Sequence, residues 1–441
     1  MSNLFKEKAK AVVRRRARAG RTWPLPQLCA RATRDLFPGL CTAEQPLTML
    51  ALAHHRFMPD LRALARTSGV RVLGFPLYWH FAAPSWFRGD YWPPDAQRHQ
   101  FLEHFMRAYL PLVGARCVVG TAFWYRQDLP WGAAAEANGV PYVVFHKESY
   151  KPTPAQQDVF VQRAAKVGHF PGSHLVVHNE PSRELLVRSG IAPAERISAL
   201  GFLRMDPLVA AARSHQVRPD GQPTATLFSF TPGIGLDDLG VGQWPKDPGV
   251  GWVKLFEETH VTFARFAQAH PEVTCVIKAK WGDHWFTAIE AALAANGITL
   301  SDIPNLRLTC EDDPHDLMMR SRVVCGFNST TLLEAGILGI PVIVPNFAEA
   351  TDPRYAPHVK LAPHGAFDVA ISCGELSMLL EHRLTNPSIE PPALERRRAL
   401  FETWVSRLDG PAAPRYLDLL RKLCARSGSA ALHPTVTDRA A

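Results

Sequence analysis

The sequence predicts an α/β protein made of two doubly wound domains with parallel sheets. Three observations predict it. Short apolar runs alternate with amphipathic helical stretches from residue 47, a polar segment at 210–225 interrupts the rhythm, and the same rhythm then restarts. At 441 residues the chain is long enough for two separate cores.

In the first half, "LTMLALAHH" (47–55), "VRVLGFPL" (70–77), "RCVVGTAFW" (116–124), "VPYVVFHKES" (140–149) and "SHLVVHN" (173–179) read as buried strands, because apolar residues fill both faces. Helical periodicity falls between them, over "PDLRALARTSG" (59–69), "DAQRHQFLEHFMRAYLPLVG" (95–114), "GAAAEANG" (132–139), "PAQQDVFVQRAAKVG" (154–168) and "EPSRELLVRSG" (180–190). The interruption "AAARSHQVRPDGQPTA" has the Pro, Gly and charge content of an interdomain linker. Beyond it "TLFSFTPG" (226–233), "EVTCVIKAK" (272–280), "NLRLTC" (305–310), "RVVCGFN" (322–328) and "IPVIVPN" (340–346) are strands. Their helices are "WVKLFEETHVTFARFAQAHP" (252–271), "FTAIEAALAANG" (286–297), "DPHDLMMRS" (313–321) and "STTLLEAGILG" (329–339). The predicted organisation is a basic N-terminal segment (1–44), a Rossmann-like domain (45–209), a linker (210–225), a second Rossmann-like domain (226–390), two C-terminal helices (391–427) and a tail (428–441).

Composition excludes several classes. No run of about 18 apolar residues occurs, so no membrane-spanning helix is expected, and the N-terminus lacks the apolar core of a secretion signal. The eight cysteines are scattered without a CxxC pair, which suits free thiols in a reducing cytoplasm rather than disulfides or zinc. The net charge of +8 is concentrated in residues 6–21, with eight basic side chains and one acid. That run suits a solvated tail or contact with an anionic membrane surface, such as the inner membrane face, and no nucleic-acid motif accompanies it. There is no HExxH, GxSxG or Cys/His ligand spacing, so no metal is expected.

In open parallel sheets, ligands bind beyond the carboxyl ends of the strands, so the loops there hold the candidate residues. "TPGIGLDDLGVGQW" (231–244) brings Thr231, Gly233, Asp237 and Asp238, four glycines in all, and is neither GxGxxG nor a Walker loop. Lys278 and Lys280 are two apart, which on an extended strand puts both on one side, suited to an anion or to solvent. "GFNSTTLLEAG" (326–336) places Asn328, Ser329, Thr330 and Thr331 where a helix N-terminus presents free N–H groups, with Glu334 one turn in. The stretch is either an anion site or a well-capped helix. In the first half, His146, Lys147, Glu148 and Ser149 end one strand and make Glu148 and His146 general-base candidates. Asn179 or Glu180 reads as a helix cap, and Arg126 and Asp128 lie among aromatics.

"GFNSTTLLEAGILGIPVIVP" resembles the nucleotide-sugar site of GT-B glycosyltransferases, a fold of two Rossmann-like domains whose parallel sheets face each other over a cleft. "GFLRMDPL" (201–208) is similar to a Gly-x-x-Arg-x-Asp segment of bacterial surface-polysaccharide enzymes and nucleotide-sugar 2-epimerases, and "VVFHKES" and "VVHNEPSRELLVRSG" resemble segments of capsular and lipopolysaccharide Kdo transferases. The resemblance implies a metal-independent transfer from a nucleotide sugar, a substrate rather than a cofactor, to a saccharide or lipid-linked acceptor held by the first domain. It implies phosphate contacts at Ser329, Thr330 and Thr331, ribose at Glu334, and phosphate or a sugar-acid carboxylate, as in CMP-Kdo, at Lys278 and Lys280. "KAKWGDHW" departs from the Lys-x-His-Pro of many relatives, and the catalytic carboxylate stays open among Glu148, Asp237 and Asp238. A 2-epimerase or a non-catalytic nucleotide-binding subunit are the alternatives.

Overall fold

Val, Leu and Ile runs that leave no polar face need cover on both sides, and the computed structural model supplies it with helices flanking two sheets. It describes residues 22, 24–67, 69–76, 95–125, 128–214, 222–247 and 249–430. The basic run at 6–21, Arg126 and the tail beyond residue 430 lie outside the described residues. Among the described residues no helix is long and apolar enough to cross a membrane.

The first sheet has seven strands: β1 (Arg34–Asp35), β2 (Leu47–Ala51), β3 (Val70–Gly74), β4 (Cys117–Gly120), β5 (Tyr142–Phe145), β6 (His174–Val177) and β7 (Ile197–Ala199). Their order is β1-β3-β2-β4-β5-β6-β7, parallel except for the short edge strand β1. Chain order reverses between β2 and β4, which opens a ligand crevice beyond their carboxyl ends. The second sheet has six parallel strands: β8 (Thr224–Phe228), β9 (Thr274–Lys278), β10 (Leu306–Thr309), β11 (Val323–Gly326), β12 (Val342–Pro345) and β13 (Asp368–Ala370). Its order, β10-β9-β8-β11-β12-β13, puts the reversal between β8 and β11.

The chain divides into two compact units. The first comprises residues 1–149, 160–206 and 409–441, and the second residues 150–159 and 207–408. Both C-terminal helices form, as Pro391–Trp404 and Ala413–Ala430, but they part company, and the last one returns to the first unit. The expected linker is in part a helix, Asp206–Ser214. Three short elements lacked a readable pattern: β1, β7 and β13 are only two or three residues long.

The last helix explains the "GFLRMD" segment. Asp206 accepts the backbone N–H groups of Ala412 (2.6 Å) and Ala413 (3.0 Å), two donors that the start of a helix leaves without intrahelical partners. Arg415 Nε donates to the Leu200 carbonyl and the Tyr416 hydroxyl to the Gly201 carbonyl, both at 2.9 Å. Tyr416, Leu417 and Leu420 then complete a core with Met49, Val72, Val119 and Val143. In this unit the acid of the motif is a cap for a helix some two hundred residues away in sequence. Asp206→Ala should destabilise the first unit by about 1–2 kcal/mol, and Asp206→Asn by less, in urea unfolding.

Candidate functional site

The crevice of the second sheet is built by the loops after β8 and β11. After β11 the chain passes through Phe327, buried against Phe230 and Trp252, and turns at Asn328, whose φ of 53° is left-handed. Asparagine tolerates that region better than most residues, and here both ends of its amide are engaged. Nδ2 donates to the His358 carbonyl (3.0 Å), and Oδ1 accepts the Lys360 N–H (2.8 Å). Asn328 is therefore a buried clamp on segment 358–360 rather than an open ligand contact.

Ser329 caps the helix Thr330–Ile337. Its Oγ accepts the Thr331 N–H at 3.3 Å and donates to the Thr331 hydroxyl at 2.9 Å. The cap satisfies one donor, while the helix dipole and the remaining first-turn N–H groups still favour an anion. Ser329, Thr330 and Thr331 are all half-buried. Glu334 is buried further along, its Oε2 3.2 Å from Nε2 of His315, which follows β10. Oε1 has no protein partner among the described residues and remains available to a hydroxyl donor.

The two expected lysines do not act as a pair. Lys278 ends β9, is buried, and donates Nζ to the carbonyls of Ala279 (2.7 Å) and Cys310 (2.9 Å). It ties the ends of β9 and β10 together. Lys280 lies beyond the strand end, where the two-residue repeat no longer applies. It is exposed and lies over the Trp281 ring at 4.7 Å.

The cation that does reach the crevice is Lys360, which no strand-end pattern pointed to. A Cβ added at Gly235 would lie 3.1 Å from its Cε and 3.4 Å from its Nζ, and 3.6 Å from the Asn328 amide. The Gly235 φ of +77° also requires glycine there. Nζ is 5.0 Å from the centre of the Tyr150 ring and makes no hydrogen bond to a described residue. Burial lowers its pKa from 10.5 to about 7; Lys151 adds repulsion, and Asp237 and Asp238 oppose the shift. Asp238 is buried at its side chain with Oδ2 3.5 Å from His358 Nδ1, whereas Asp237 is exposed.

The other residues of the 231–244 loop hold it together. Thr231 is buried and donates its hydroxyl to the Gln243 side chain at 2.7 Å. Gly233 is needed because a Cβ there would run into the Gly242 carbonyl, so its close approach is to the loop itself and not to a ligand.

In the first unit, His146 is fully buried, packed against Phe123 (4.6 Å) and Trp124 (4.5 Å), with Nε2 3.2 Å from the Glu148 carbonyl. That surrounding makes it a core histidine rather than an exposed base. Glu148 is half-buried beside Lys147 and Tyr125. Asn179 caps the helix Glu180–Ser189, accepting the Ser182 N–H at 3.0 Å. All eight cysteines are free thiols. Among the described residues no group of three or more His, Cys, Asp or Glu could hold a metal ion.

Among solved structures the chain matches the wall teichoic acid polymerase TagF, H444N variant, over 96% of this chain and 98% of that one, at 14% identity and a TM-score of 0.52. The chain has the GT-B fold. It also matches the UDP-GlcNAc 2-epimerase from Neisseria meningitidis bound to UDP-GlcNAc (14% identity, 86% and 100% of the two chains, TM-score 0.46). A third match is an alpha,alpha-trehalose-phosphate synthase (UDP-forming) from Burkholderia vietnamiensis (13% identity, 87% and 99%, TM-score 0.45). No family model and no curated protein sequence matches the chain.

A lysine whose folded pKa is lowered holds fewer protons in the folded than in the unfolded chain. Between about pH 7 and about pH 10, then, Lys360 makes stability rise with pH. Urea unfolding over that window should show a shallower rise for Lys360→Met than for the parent chain. Asn328→Gly keeps the left-handed turn but releases segment 358–360, and should cost about 1–3 kcal/mol through the unpaired buried groups it leaves.

Proposed function

We propose that the chain is a glycosyltransferase that takes a sugar from a nucleotide sugar and transfers it to a saccharide or lipid-linked acceptor of a bacterial surface polysaccharide or glycolipid. The observation that carries this reading is the hydroxyl-rich helix start at Ser329–Thr331, which shares the crevice between β8 and β11 with the buried amine of Lys360. A nucleotide phosphate there meets first-turn N–H groups, three hydroxyls and one cation, all in place before the ligand arrives. Glu334, held by His315, offers Oε1 to a ribose hydroxyl.

In the transfer, the bond from the sugar's anomeric carbon to the phosphate oxygen breaks, and a bond to the acceptor oxygen forms. The acceptor's proton passes to a base, and the leaving phosphate gains the negative charge that Lys360 and the helix terminus offset. Glu148, Asp237 and Asp238 remain the base candidates. Of these Asp238 is buried at its side chain 3.5 Å from His358, Glu148 is half-buried and Asp237 is exposed. A sugar-acid donor such as CMP-Kdo is supported by the resemblance of the first-half segments, and not by a lysine pair, because Lys278 bonds to backbone carbonyls and Lys280 lies over Trp281.

Thermal-shift measurement with UDP-, GDP-, CMP- and CDP-linked compounds should find one nucleotide class that raises the melting temperature. Lys360→Met should weaken that nucleotide about 10–100-fold, the worth of a hydrogen bond to a charged group. Glu334→Ala should weaken it about tenfold, the worth of the lost ribose hydrogen bond. Free nucleotide should appear only when acceptor is present. Conversion of the nucleotide sugar without acceptor would instead make the protein an epimerase, and no shift with any nucleotide would make it a non-catalytic subunit. The basic run at 6–21 supports contact with an anionic membrane surface. Deleting residues 1–21 should then abolish sedimentation with anionic vesicles and leave nucleotide binding unchanged.

A further inference from the structure

The carboxyl edge of the first sheet gathers cations that the donor site does not use. Arg56 follows β2, Lys147 follows β5 and Arg204 follows β7. Two of them are posed by aromatic faces. The Arg56 guanidinium lies over the Tyr125 ring at 4.4 Å, and the Arg204 guanidinium over Phe202 at 4.3 Å. Phe202 in turn stacks on the buried His178, ring centres 3.7 Å apart and planes 16° from parallel. Stacking fixes the plane of a guanidinium and leaves its N–H edge to point at a ligand.

Lys147 is near both arginines: burial lowers its pKa first of all, and Arg56 and Arg204 each disfavour its protonated form as well. Yet none of the three has a carboxylate within ion-pair distance among the described residues, and the Arg204 side chain donates no hydrogen bond to any of them. Glu148 and the buried Asp60 are near enough to moderate the repulsion; Asp60 accepts the backbone N–H of Arg204 at 3.3 Å.

A second observation concerns the loop after β4, on the other side of the crevice from β2. Thr121 and Asp128 are both fully buried, and among the described residues neither the Thr121 hydroxyl nor either Asp128 carboxyl oxygen has a hydrogen-bond partner. The Thr121 carbonyl lies 3.4 Å from the Lys147 N–H, and Asp128 interacts with Arg56. Buried polar groups left unsatisfied are uncommon, and of these Asp128 is near enough to interact with the Arg56 cation.

We propose that the first unit carries an anion site of its own, formed by Arg56, Lys147 and Arg204, which takes a phosphate-bearing ligand. A single carboxylate is matched by one guanidinium, whereas a phosphomonoester carries about −1.5 to −2 charge at neutral pH and three acceptor oxygens, the better fit to three cations. The anion site is independent of the glycosyltransferase reading. On that reading the phosphate-bearing ligand would be the acceptor, and only this step rests on it.

The probe is inorganic phosphate, titrated into the full-length chain by calorimetry at low ionic strength. The parent chain should bind at two sites and Lys360→Met at one, the site proposed here. Adding Arg56→Gln and Arg204→Gln to the Lys360→Met chain should weaken that remaining binding about tenfold or more. Both arginines are exposed, so the melting temperature of the substituted chain should hold, and Lys147→Gln alone provides an independent variant. The proposal is overturned if the Lys360→Met chain binds no phosphate, or if the added glutamines leave its binding intact. Glucuronate binding as tightly as phosphate would overturn the choice of a phosphate. Nucleotide binding that survives Lys360→Met would sink the donor reading while leaving this site standing.

Discussion

Both hydrogen bonds of the Asn328 side chain run to segment 358–360, and the second unit's crevice depends on them. They hold Asn328 in the left-handed turn that ends β11, so the next helix starts at Ser329 with its N-terminus at the sheet's edge. They also place Lys360 against Gly235, within the loop that follows β8. One amide therefore sets the position of a dipole and of a charge at the same time. Burial of that amine costs free energy that a nearby anion would offset by favouring its protonated form.

The two units solve a similar problem with different means. Both sheets reverse strand order near their middle, and both collect polar groups beyond the strand ends there. In the second unit the groups are mostly backbone N–H, hydroxyls and one desolvated amine, an arrangement suited to a diphosphate held close to the main chain. In the first unit they are exposed guanidiniums braced on aromatic rings, with Lys147 between them, suited to a ligand that arrives with its own charge.

Much of the fold was legible because buried parallel strands must be apolar on both faces and their helices must be periodic. The strands over 47–55, 116–124 and 322–328 stand where those patterns put them, if shorter, while the one expected over 226–233 runs over Thr224–Phe228 and begins within the expected linker. The cap reading of Asn179 held because it rests on contacts three residues apart. Elements of two or three residues, such as β7 and β13, carry too little pattern to be seen. Side-chain roles were less legible. His146 has the sequence context of a base but lies in an aromatic core, and Gly233 spares space for Gly242 instead of a ligand. Lys280 fell outside the extended strand on which its pairing with Lys278 depended.

Local periodicity and turn chemistry determined two α/β units, the strand ends that face the candidate site, and a helix capped by Ser329 with Glu334 one turn in. These are properties of residues within a few positions of one another. Only the tertiary structure decided which cation serves that helix, since Lys360 is brought to it by bonds spanning some thirty residues. It alone also showed that Asp206 caps the last helix, through contacts with Ala412 and Ala413. Long-range hydrogen bonds and burial leave no periodic trace in a single chain, and they are what turns a lysine into a desolvated amine or an aspartate into a cap.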